Sequence, residues 1–471
     1  QATVTMNLSI TTTDQIEDVE VFTNLNRRDY ARLVEDAAQI VSGSDSPTYY
    51  KAYDMTGGAG NYTLTLNVSK TGVYRITARY KVTGDSEWRW IGSKGFRDHI
   101  VVVSPKKALN LSMYELQVNT VEATSDDFNG RSTFEDLSSG DNDGFDKISV
   151  DYLRDIGINA VWLQPIHPIG SHNEPAPYKQ EFTPGSPYAV KNFFAVNPIL
   201  SNGNSRSSAM QAFKNFVSEA DNKGLNIFFD VTFNHSAWDV EIGPAGNTLF
   251  GWTYPEDAQI RTIRPQWYSK YNSSLPEPDA FIYDTRANST SEISVAPADR
   301  HDFGKWRDVI DFYFGTYSAL GSPTNEQDAY WSHDSIVDEV VEYFAYYARY
   351  WLEQTGFNPN NPSESYKGID GFRCDFAQGI PPAMWEYIIN KTRSYKWDFI
   401  FMAESLDGGA VSRRAARQFD IINDNWVFAT ENLWTAPEWK QAVEQRRTDY
   451  GNALILRNTV THDHQPPEDP W

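Results

Sequence analysis

Arg373 and Asp375 stand two residues apart near the end of Gly368-Ile369-Asp370-Gly371-Phe372-Arg373-Cys374-Asp375-Phe376, an apolar stretch that suits a short buried parallel strand. Alternation along a strand sends both side chains out of one face. A guanidinium beside a carboxylate favours the ionised form, which a nucleophile requires. Such a pair also serves as a plain structural ion pair, so this stretch alone decides nothing. Three further apolar runs end in a similar way. Leu225 to Phe229 leads into Asp230-Val231-Thr232-Phe233-Asn234-His235, Phe399 to Ala403 leads into Glu404, and Ala453 to Val460 leads into Thr461-His462-Asp463. Helical segments separate them. Strands that end in acids and histidines, alternating with helices, predict a (β/α)8 barrel with its chemistry at the C-terminal rim of the strands.

These four motifs, in this order and spacing, resemble those of the α-amylase family of glycoside hydrolases, and the resemblance runs from about Tyr114 to Gln465. It implies a retaining, α-glucan-active barrel. Retaining cleavage needs one ionised carboxylate and one protonated carboxyl across the glycosidic bond. Asp375, beside Arg373, suits the ionised partner; Glu404, at the end of an apolar run, suits the protonated one. The resemblance implies the same division, with Asp375 as nucleophile, Glu404 as general acid/base and Asp463 as a third carboxylate that binds sugar hydroxyls. It further implies that His235 and His462 hydrogen-bond the sugar at the scissile bond, that Tyr188 stacks on it and that Asp230 steadies Arg373. Asn234 resembles a calcium ligand of many members; the alternative is an amide that hydrogen-bonds its own loop. No cofactor is implied for the chemistry. Some positions depart from the family. Gln378 and Gly379 stand where animal and fungal amylases carry Lys-His, Thr461 replaces an Asn, and Asn192 replaces an Asp.

The elements that must position these groups follow from length and pattern. A chain of 471 residues predicts two or three domains. Residues 1–105 read as an all-β sandwich module, with strands over Val4 to Ile10, Ile16 to Leu25, Tyr62 to Val68, Gly72 to Val82 and His99 to Val103. Trp88 and Trp90 share a strand face there, either as sandwich packing or as a sugar platform. Ser104 to Lys107 forms a linker. Residues 106–235 begin the barrel, with strands over Tyr114 to Val121 and Ile158 to Ile166 and a helical stripe from Ala209 to Lys223. Residues 236–334, rich in Pro, Gly and aromatics, predict an inserted cleft-side subdomain, in which Trp238, Trp252, Trp267, Tyr268 and Trp306 suit a sugar-facing wall. Residues 335–471 continue the barrel through helices from Ser335 to Gln354, Pro382 to Tyr395 and Ala436 to Arg447. The sequence ends eight residues past Asp463, too soon for an eighth strand, so the barrel is expected to stop after its seventh and the chain to be part of a longer protein.

A formal charge of −22 argues against nucleic acid and anionic membranes as partners. No apolar run approaches the length of a membrane span. The single cysteine, Cys374, allows no intramolecular disulfide and reads as a small buried hydrophobe. The expected protein is a secreted or periplasmic hydrolase of α-1,4-glucans or maltooligosaccharides. A glucanotransferase using the same covalent intermediate, and a non-catalytic glucan binder, are the alternatives.

Overall fold

The computed structural model describes residues 2–27, 51–91, 99–125, 127–138, 147–170, 186–268, 280–282, 293–295, 309–312, 314, 316–318, 330–332, 335–377, 380, 382–405, 418–424, 433–451, 453–458 and 461–463. Gln378, Gly379 and Trp306 lie outside them.

Seven parallel strands form one sheet in sequence order: Met113–Leu116, Ala160–Leu163, Asn226–Val231, Gly371–Cys374, Ile400–Glu404, Ile421–Asn423 and Leu454–Ile455. The central ones are buried and read as largely apolar runs, interrupted by Asp230, Arg373 and Glu404 at the site. Their close approach explains Gly371, where a Cβ would meet the Phe228 ring at 2.4 Å and the Ile400 carbonyl oxygen at 2.8 Å. The first strand stops at Leu116, short of the expected Val121, because the chain turns there; the Thr120 and Val121 amides both donate to Gln117 O. Among the described residues the two outer strands do not pair with each other. A cavity of about 850 Å3 opens between them, lined by Met113, Glu115, Trp162, Ile421, Leu454 and Leu456 among others.

Helices cover the sheet. Ser205 caps the helix Arg206–Lys223 by accepting from the Ser208 amide, and Gly224 closes it in the left-handed region at φ 68°. Its apolar stripe of Ala209, Ala212, Phe213, Phe216, Val217 and Ala220 is buried. Helix Ser335–Gln354 leads into the Arg373 strand and buries, among others, Phe344, Tyr347 and Trp351. Helix Pro382–Tyr395 joins that strand to the Glu404 strand.

Of the aromatic residues after His235, Trp238, Trp267 and Tyr268 are buried in the core and do not form a wall facing sugar. Trp238 and Tyr268 are 1% exposed and Trp267 is fully buried, all within the main core. Trp267 donates its indole N–H to Glu339, and Trp252 stacks on Phe250 with the Arg264 guanidinium over its ring. Large apolar rings gain more from burial against one another than from exposure.

The N-terminal strands form two antiparallel sheets. One joins Ala2–Ser9, Asn61–Val68 and Thr56–Gly58; the other joins Lys51–Asp54, Ile16–Thr23, Gly72–Val82, Arg89–Trp90 and His99–Val103. Val4, Met6 and Leu64 of the first pack against Val19, Val21 and Ile76 of the second. Trp88 and Trp90 lie under the Arg79 guanidinium, and Trp90 meets Phe22 edge-on, so both are used in packing. Strand Gly72–Val82 docks on helix Pro382–Tyr395. Arg75 grips the buried Glu386 through two bonds of 2.8 Å, and Asn390 exchanges hydrogen bonds with the Val73 backbone. In the linker, Lys107 reaches Asp370 at 2.8 Å.

Candidate active site

The parallel register brings the chemistry-bearing residues together. Asp230 lies directly opposite Arg373 on neighbouring strands, and Arg373 lies opposite Met402, two residues before Glu404. Arg373 is fully buried and shared by three carboxylates. Its Nη1 donates to Asp230 Oδ1 at 2.9 Å and to Asp375 Oδ1 at 2.8 Å, while Nη2 lies 2.6 Å from Glu404 Oε1. Phe376 adopts φ 44°, unusual for a bulky residue, and that turn aims its backbone N–H at Glu404 Oε2, 2.8 Å away. Asp230 Oδ2 accepts from Tyr188 OH at 2.9 Å and from the Trp162 indole at 3.0 Å. His235 Nε2 stands 3.9 Å from Asp375 Oδ2.

The seventh strand leads to the rest. His462 stacks on Tyr188 with ring centroids 5.4 Å apart, and its Nε2 lies 2.9 Å from Tyr188 OH and 3.4 Å from Asp463 Oδ1. Its Nδ1 makes a close contact with Glu115 on the first strand. Asp463 stands at the exposed mouth. The structure thus gathers Asp230, Arg373, Asp375, Glu404, Tyr188 and His462 into one bonded network, with His235 and Asp463 at its edge. Asn234 is buried, with its Nδ2 3.5 Å from His235 Nδ1. Calcium takes six to eight oxygens. Among the described residues no group of three or more His, Cys, Asp or Glu side chains is placed to hold a metal, and no step is routed through one.

Arg373 pulls the Asp375 carboxyl towards its ionised form, as the sequence suggests, but it does not act alone. Burial, and next the charge of Glu404, push the Asp375 carboxyl well above the usual range against the pull of Arg373. Burial likewise lifts Asp230, to about 6, although Arg373 and then His462 oppose it. One guanidinium faces three buried carboxylates, and their like charges oppose one another's ionisation. Such a pair can present one carboxylate as nucleophile and one carboxyl as acid. Cys374 is buried and touches none of this chemistry through its thiol, which burial holds protonated.

Reading the sequence missed Glu115, Trp162 and the Phe376 amide. Glu115 left one signal, a carboxylate in the middle of the otherwise apolar first strand.

A parallel sheet closed by helices, with acids gathered at the C-terminal ends of its strands, is the catalytic frame of a (β/α)8 barrel. The alpha-amylase catalytic domain matches residues 122–398, more than half of the chain, and the chain belongs to the alpha-amylase family. Asp230, His235, Arg373 and Asp375 fall inside that match; Glu404, His462 and Asp463 follow it. The chain is 24% identical over 180 residues to the alpha-amylase SusG of Bacteroides thetaiotaomicron, covering 37% of this chain and 21% of that protein. To an alpha-1,4-glucan:maltose-1-phosphate maltosyltransferase of Cereibacter sphaeroides it is 24% identical over 307 residues, 62% of this chain and 32% of the relative. It therefore spans about a third or less of the length of these relatives. A solved alpha-amylase of Lactobacillus plantarum superposes with a TM-score of 0.46 at 18% identity, over 76% of this chain and 64% of the other.

Proposed function

We propose that the chain is a retaining glycoside hydrolase of α-1,4-glucans, acting outside the cytoplasm on starch-like polysaccharide or maltooligosaccharides. The observation that carries this reading is the single buried guanidinium of Arg373 holding Asp230, Asp375 and Glu404 at the ends of three adjacent strands. In the reactive form Glu404 is the proton donor and Asp375 the nucleophile. An Asp375 carboxylate oxygen bonds to the anomeric carbon as the glycosidic C–O bond breaks, and the departing oxygen takes the Glu404 proton. Water then attacks the same carbon, gives its proton to Glu404 and releases Asp375. Asp463 and His462 bind sugar hydroxyls at the mouth, and Tyr188 supplies the ring beneath the sugar. The test is proton NMR of soluble starch during digestion. Maltooligosaccharides released first as the α-anomer support the reading; β-anomer, or no product, overturns it.

Transfer to a sugar acceptor is the second reading, favoured by the match to a maltosyltransferase over 62% of the chain. Products that lengthen when glucose or maltose is added would establish it.

A further inference from the structure

We propose that Glu115 is a positioning residue of this site, holding His462 as an imidazolium whose second N–H is aimed at Tyr188 and Asp463. The inference rests on the glucan-hydrolase reading only for its catalytic consequence. Both ring nitrogens of His462 face oxygen: Nδ1 meets Glu115 Oε1, and Nε2 lies 2.9 Å from Tyr188 OH and 3.4 Å from Asp463 Oδ1. The Tyr188 hydroxyl proton is already given to Asp230 Oδ2 at 2.9 Å, so towards His462 the phenol oxygen offers a lone pair. A neutral ring has one N–H and cannot donate on both sides; the imidazolium can.

Among the described residues, the charged groups around the ring enter this balance. Glu115 and Asp463 are carboxylates, Asp230 stands behind Tyr188, and Arg373 opposes them with its positive charge. The Trp162 ring approaches edge-on at 5.9 Å. Burial works against the charged ring, but Glu115, first by hydrogen bond and then by charge, together with Asp463 holds His462 above its ordinary value. Glu115 is itself fixed. It sits opposite Trp162 in the strand register, and Gln164 Nε2 donates to its Oε1 at 3.1 Å.

The arrangement decides what His462 can do to a sugar. An imidazolium has no lone pair, so a sugar hydroxyl that displaces Tyr188 or Asp463 from its Nε2–H can only accept from it. Removing the Glu115 charge therefore alters which hydroxyl orientation the site accepts, without touching the carboxylates that do the chemistry.

The experiment is NMR of the full chain labelled with 15N-histidine, which carries eight histidines, with the His462 signal identified by its loss in His462→Gln. In the wild type, the ring should stay doubly protonated to a pH above the ordinary 6.5. In Glu115→Gln the midpoint should fall by about one unit or more, as loss of an adjacent opposite charge requires, and Glu115→Asp should recover part of it. In parallel, KM for an aryl maltooligosaccharide should rise more than kcat falls. An unchanged midpoint in folded Glu115→Gln, or a wild-type midpoint at or below 6.5, overturns the proposal. The second result is read without any variant, so a Glu115→Gln chain that fails to fold does not protect it. Absence of activity in the wild type would refute the hydrolase reading, while the titration would still decide the role of Glu115.

Discussion

Asp230→Asn tests whether the Arg373 network is held together by charge or merely filled by shape. The Asp230 carboxylate is fully buried and accepts three hydrogen bonds, from Arg373 Nη1, Tyr188 OH and the Trp162 indole. An amide keeps the volume but has one acceptor oxygen. If that oxygen serves Tyr188 and Trp162, the NH2 faces the Arg373 N–H; if it serves Arg373, the NH2 faces two other donors. Either way a buried donor meets a donor, and the guanidinium loses one of its carboxylates. Breaking a buried pair from one side costs about 3–5 kcal/mol. If half of that appears in the barrier, as Arg373 shifts away from Asp375 and Glu404, turnover falls about tenfold to a hundredfold. The thermal midpoint should drop on the order of 5 °C or more. The assays are kcat on a maltooligosaccharide and a melting curve with unchanged circular dichroism at 25 °C. Wild-type melting and wild-type kcat together would show that the arginine needs only its other two partners, and that charge does not hold the network.

Asp375→Asn removes the attacking carboxylate, so cleavage should fall by several orders of magnitude while maltooligosaccharide binding by calorimetry persists; turnover near wild type would sink that role. Glu404→Gln should damage starch cleavage far more than cleavage of a glycoside with an activated aryl leaving group, since only the first needs the acid; equal losses would remove Glu404 from the acid's place. Burial lifts Asp221 from 3.8 to about 7 although it accepts from the Gly368 amide. Because the folded state binds this proton more tightly than the unfolded chain, Asp221 costs stability as pH rises from about 4 through 7. Asp221→Asn should therefore stabilise the protein at pH 8 and change little at pH 4; equal effects at both would refute it.

What could be read from the sequence, and what could not, follows the range of the interactions. The fourth strand was legible because its apolar run, its arginine and its aspartate lie within nine residues, and period and charge are local signals. The same holds for Asp230 and Glu404, each at the end of its own strand, whereas His462 lies seven residues beyond the seventh strand, Leu454–Ile455. Register is not local: Asp230 falls opposite Arg373 although the two stand 143 residues apart in sequence. The residues paired Arg373 with Asp375 and the resemblance added Asp230, but that Glu404 shares the same guanidinium could not be seen. Glu115 was hidden for the same reason, its partner being 347 residues away. The aromatic wall failed differently. Composition shows that Trp238, Trp267 and Tyr268 must contact something, but a ring that stacks on sugar and a ring that fills a core are the same residue. The packing of Trp267 on Tyr343 and of Tyr268 on Phe312, with the burial of Trp238, settles that those three face inward. Residues whose role depends on an unspent charge, such as Asp375 and Glu404, announce themselves in sequence because burying them is costly without a reason. Residues whose role is to orient that charge, such as Glu115 and Trp162, look like ordinary members of their strands until the barrel brings the partner in.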